Sequence, residues 1–110
     1  MELTLDTRSA RLVDPDDHTA FAVVIACEGE PAAAALSAGG VVGLGDHAWV
    51  RTDALRRLAG SAATSAWERS FVAMLDVARA RGWVDDELGA VRGHVERRAL
   101  RTPTAAGARS

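Results

Sequence analysis

Two histidines, His47 and His94, sit in segments where polar and small apolar residues alternate, and that alternation decides what chemistry they can share. In His47-Ala48-Trp49-Val50-Arg51, an extended chain points His47, Trp49 and Arg51 to one side and Ala48 and Val50 to the other. The same parity in Ala90 to Glu96 groups Arg92, His94 and Glu96. Imidazoles move protons near neutral pH, an indole supplies an apolar floor, and a guanidinium holds a carboxylate or enolate oxygen. His47 and His94 are therefore the candidate catalytic residues. Trp49, Arg51, Arg92 and Glu96 are the candidate ligand-binding ones. The competing reading is a solvated sheet face, on which Trp49 fills a dimer interface and charged pairs join neighbouring strands.

The remaining composition removes much other chemistry. The chain has no Lys, Asn, Gln or Tyr, and all thirteen of its basic residues are Arg. A Schiff-base lysine, a P-loop lysine and a tyrosine acid are thus excluded, as is any side-chain amide. Asp46 adjoins His47, but neighbours on a strand face opposite ways, so Asp46 belongs to the turn after Gly43-Leu44-Gly45. His94-Val95-Glu96 matches the H-x-E of zinc deaminases but lacks their paired cysteines, and no metal is expected. Cys27 ends an apolar run and precedes Glu28 and Glu30, which suits a small buried hydrophobe better than a reactive thiol. Gly39 to Gly45 precedes a strand and opens no helix, so it is no phosphate cradle. Asp14-Pro15-Asp16-Asp17 is a turn, and Arg97-Arg98 with Arg101 is too small a basic patch for nucleic acid.

A chain of 110 residues is long enough for one core, and a single domain over 1–101 with a disordered tail over 102–110 is expected. A net charge of −2 argues against nucleic acid or an anionic membrane as partner. One cysteine, an acidic start and no apolar run near the ~20 residues of a membrane span point to the cytoplasm. No cofactor is implied.

The elements that must carry these side chains are legible in outline. Residues 2–5 and 10–13 alternate as a strand pair, and Phe21 to Cys27 reads as a buried strand. Glu30 to Leu36 reads as a short helix with Pro31 at its first position, ended by Gly39-Gly40. Val41 runs extended into the strand His47–Arg51, after which Thr52 caps a helix over Asp53 to Ala59. Ser65-Ala66-Trp67-Glu68 is a capping box. It opens a helix whose stripe is Trp67, Phe71, Met74, Leu75 and Ala78, stopped by Gly82 with Trp83 folding back on the last turn. Ala90 to Glu96 fits either a strand or a helix begun at Asp85 or Asp86 that groups Leu88, Val91 and Val95; glycines at 89 and 93 cost that helix roughly 2 kcal/mol and favour the strand.

The expected fold is α+β, with one mixed or antiparallel sheet of about four strands and two or three helices packed on one face. The expected function is binding of a small organic ligand or a partner protein in an accessory or regulatory role, with self-association into a homo-oligomer that covers the aromatic sheet face. The alternative is a cofactor-free isomerase, cyclase or lyase using His47 and His94 as acid and base.

Overall fold

The computed structural model describes residues 1–98, so the tail expected from Thr102 lies outside the described residues. Strands β1 (Glu2–Leu5), β2 (Ala10–Val13) and β3 (Ala22–Ile25) precede helix α1 (Ala33–Gly39). Then come β4 (Val41–Leu44), β5 (His47–Arg51), α2 (Thr52–Ala59), a 3-10 turn at Gly60–Ala62 and α3 (Ser65–Ala80). β6 (Val84–Asp85) and β7 (Ala90–Arg97) complete the described chain. The strands form one mixed sheet in the order β2-β1-β3-β7-β5-β4, with β6 also paired to β7. β3 runs parallel to both β1 and β7, and the other pairings are antiparallel.

The class is α+β with a mixed sheet, but the expectation of about four strands is corrected to seven among the described residues. β4 was hidden because Gly43 and Gly45 made it resemble a loop, yet it forms a hairpin with β5 whose register shifts between Val41 and Gly43. β6 is only two residues long and has no periodicity to detect. Residues 90–96 are strand, as the glycine cost indicated.

One face of the sheet carries Leu3, Leu5, Val23, Ile25, Ala48, Val50 and Val91, which share a single buried cluster with Leu55 of α2 and Trp67, Phe71, Leu75 and Ala78 of α3. Gly39 of α1 lies against the side chains of Leu3 and Leu5. Gly40 then ends α1 with φ 70°, in the left-handed region, and its carbonyl accepts from Arg51 N at 2.8 Å. A Cβ at this position would collide with that of Ala54.

Three local details depart from the sequence reading. Helix α1 starts at Ala33 with Ala32 as its cap, so Pro31 precedes the helix rather than occupying its first turn. Thr52 is itself helical and its hydroxyl donates to the Gly89 carbonyl at 3.2 Å, tying α2 to the turn before β7. The cap of α3 is Thr64, whose hydroxyl accepts from Trp67 N at 3.2 Å. Glu68 is thereby released from a capping box, and its carboxylate takes Arg56 of α2 in a forked pair, with contacts of 3.0, 3.1 and 2.8 Å. The guanidinium of Arg56 also lies 5.1 Å from the centre of the Phe71 ring. The other end of α3 is the expected Schellman stop: Trp83 N donates to Ala78 O at 2.9 Å and Gly82 N to Arg79 O at 3.0 Å, with Gly82 at φ 77°.

Phe71 has no exposed surface and stacks on Trp67 at 4.7 Å between ring centres. Phe71→Ala is expected to lower the unfolding free energy by about 3–5 kcal/mol, read as a lower denaturant midpoint with little change in slope. The Arg56 pair holds the Glu68 carboxyl below its usual range, chiefly through the hydrogen bond. Its contribution is therefore present above the ordinary carboxylate pKa and lost as the pH falls through the lowered one. With Glu68 still 42% exposed, Glu68→Gln should destabilise at neutral pH by only about 0.5 kcal/mol. The gap from wild type should close on acidification.

Candidate functional site

The strand flanking β7 on one side is interrupted. β3 pairs with His94 to Arg97 and β6 with Ala90 and Val91, so the stretch Arg92–Gly93 lies between their ends. Arg92 N is satisfied by the Trp83 carbonyl at 2.8 Å. Phe21 approaches from the start of β3 and Trp83 from the start of β6. The Phe21 ring occupies the place where a Gly93 side chain would stand, with ring carbons 2.8 and 2.9 Å from an ideal Cβ.

A cleft of about 540 Å³ opens at this notch. One wall is the segment His18 to Phe21, and the second is the last turns of α3 with Met74, Val77, Ala78 and Arg81. Trp83, Val91, Arg92, His94 and His47 complete it. Residues of both parities of β7 take part, so the cleft runs from the helix-covered side past the interruption to the histidine-bearing side. α3 supplies more apolar surface than the core uses: Val77 is 59% exposed. It gives that surface to the cleft.

His47 and His94 are direct cross-strand partners, with ring centres 6.2 Å apart and planes at 70°. Both are exposed, and both border the cleft together with Arg92. Trp49 stands opposite Arg92 and Arg51 opposite Ala90, so the parity argument groups them as drawn, but neither lines the cleft. Glu96 also lies outside the lining; its carboxylate accepts from Arg98 at 2.9 Å rather than reaching His47. Asp46 lies in the β4–β5 turn, where its carbonyl accepts from Val95 N at 3.2 Å.

Sequence reasoning passed over His18, Phe21, Met74, Val77, Arg81 and Trp83 as cleft residues. Trp83 serves the helix stop, and its indole also carries two guanidinium groups. Arg81 and Arg92 each place the central carbon 5.2 Å from its centre. An available signal was the chain's third histidine, placed just before an apolar strand. Cys27 is half-buried and free, bordering a separate hollow beside Asp6 and Glu28. Its lining mixes the acids Asp6 and Glu28 with one cation, Arg8, and so lacks the net positive setting that activates a thiol. No group of three or more His, Cys, Asp or Glu among the described residues is arranged to hold a metal ion. No helix among them is long and apolar enough to cross a membrane. No protein-family model, curated protein or solved structure matches the chain.

Gly93→Ala should drive Phe21 from its seat and cost about 1–3 kcal/mol through overpacking. The accompanying sign is a change in the amide shifts of Ala20 to Val23 larger than any in β1; an unchanged Phe21 environment would contradict this packing.

Proposed function

We propose that the protein binds a small organic molecule in the cleft between the start of β3, the end of α3 and β7, in an accessory or regulatory role. The observation that carries this reading is the cleft itself, whose volume of about 540 Å³ falls within the range typical of small-molecule sites. Its apolar side chains, Phe21, Met74, Val77, Ala78, Trp83 and Val91, are joined by Thr19, the three histidines, Arg81 and Arg92. Such a lining buries a ligand body and fixes its orientation at a limited number of points. An amide chemical-shift screen of small organic molecules tests it. Hits should cluster on Thr19 to Phe21, Val77 to Trp83 and Val91 to His94, and Val77→Trp, at an exposed position, should abolish them at unchanged melting temperature. Hits confined to the Trp49 face would move the function to a partner-binding surface.

A second reading is cofactor-free proton transfer by His47 and His94, as in an isomerase, cyclase or lyase. One observation favours it: the two imidazoles face one cleft 6.2 Å apart, a separation that a ligand carbon and its proton can bridge. For a ligand found in the screen, deuterium exchange from solvent into its carbon positions is the readout. His47→Ala and His94→Ala should each stop exchange while leaving binding and stability near wild type. Exchange that survives both substitutions removes the catalytic role.

A further inference from the structure

We infer that the ligand of this cleft is an organic anion, its acid group taken at Arg81 and Arg92 beside Trp83 and its apolar body laid against Phe21, Met74 and Val77. The inference rests on the reading of the cleft as a ligand site and adds the class of ligand. Its basis is a segregation of charge. The chain is acidic overall, with fifteen Asp and Glu against thirteen Arg, yet the cleft lining holds all three histidines, two arginines and no carboxylate.

Among the described residues, seven of the acids pair with other arginines. Glu30 pairs with Arg97, Glu2 and Glu96 with Arg98, Asp53 and Glu68 with Arg56, and Asp76 and Asp86 with Arg79. Arg81 and Arg92 make no ion pair or side-chain hydrogen bond among the described residues. Each guanidinium instead rests on the Trp83 ring at 5.2 Å. A ring holds a guanidinium through its π-face and accepts none of its five N–H donors in the usual in-plane sense. Those donors are left for an acceptor the protein does not supply, and a carboxylate, sulfonate or phosphate matches their geometry. The apolar floor and the volume exclude a bare inorganic anion as sufficient occupant, since it would leave the hydrophobic wall wet.

Two fluorescent probes with nearly one skeleton separate the terms: anilinonaphthalene sulfonate, which carries the acid group, and uncharged N-phenylnaphthylamine. With the full chain, the sulfonate should bind at least about tenfold more tightly at low salt, as a charge-assisted contact implies. Its advantage should shrink toward near-molar KCl, while the neutral probe is unaffected or strengthened. Arg81→Gln with Arg92→Gln should erase the difference by weakening only the sulfonate. Should that double variant fail to fold, the salt dependence and the single Arg81→Gln change, at an exposed side chain, carry the test. Equal affinity for both probes would overturn the anion assignment and leave the cleft as an apolar site. Binding of neither probe, or binding that survives Val77→Trp, would overturn the assignment and the cleft reading together.

Discussion

β7 is longer than anything that pairs with it on one flank, and the architecture around the cleft depends on how that mismatch is resolved. β3 covers its second half and β6 only its first two residues. Backbone groups left between two such partners must still be bonded. The Trp83 carbonyl meets Arg92 N, which brings the Trp83 indole to the rim of the gap. From the other end, the ring of Phe21 fills the space that Gly93 leaves. Side chains rather than another strand thus terminate the notch, and aromatic ones do so, which gives a sheet interruption with apolar walls. On its opposite flank β5 pairs without a break with Ala90 to His94, and that register sets His47 against His94 at the same level.

The electrostatics follow from the same placement. Several carboxylates of this acidic chain, on turns, helices and the strand ends at Glu2 and Glu96, are neutralised by nearby arginines in exposed pairs of small individual value. Around the notch the neighbours are Trp83, Phe21 and the apolar flank of α3, none of which offers a carboxylate. The cations there are held by an aromatic face. Two arginines and no carboxylate thus line one cleft of a protein whose net charge is negative.

What could be read from the sequence was whatever depended on neighbours in the chain. The period of two in His47–Arg51 and Ala90–Glu96 gave the faces, and the Gly82-Trp83 stop of α3 was visible because a Schellman turn is specified by consecutive residues. Strand β4 escaped because its glycines carry no side-chain pattern; it exists through pairing with β5. The cap of α3 slipped by one residue because Thr64 and Ser65 offer equivalent hydroxyls, and the choice fell to Thr64 once Glu68 met Arg56 across two helices. The cleft itself joins His18–Phe21 to α3 and β7 over long sequence separations, which no local pattern encodes. For that reason strand parity alone marks the histidine pair and Arg92, which line the cleft, together with Trp49, Arg51 and Glu96, which do not.

The wall formed by His18 to Phe21 has no regular structure of its own and is anchored to the core behind it. Trp67 Nε1 donates to the Pro15 carbonyl at 2.7 Å, fastening the preceding turn to α3. The N-terminal amine donates to the Asp17 and Ala20 carbonyls at 2.9 and 3.1 Å, fastening the same segment from the other side. Between these anchors the His18 ring lies edge-on to Trp67 at 5.4 Å and to Phe71 at 6.4 Å. Its Nε2 is buried without a hydrogen-bond partner among the described residues, a state that costs about 1–3 kcal/mol. That cost is borne by the aromatic packing of Trp67 and Phe71, the most deeply buried rings of α3. The loop wall is thus tied at both ends and backed by stacked aromatics. For the ligand proposed above, such a wall would leave little ordering entropy to be lost on binding, so that the polar contacts around Arg81 and Arg92 would be expressed as affinity.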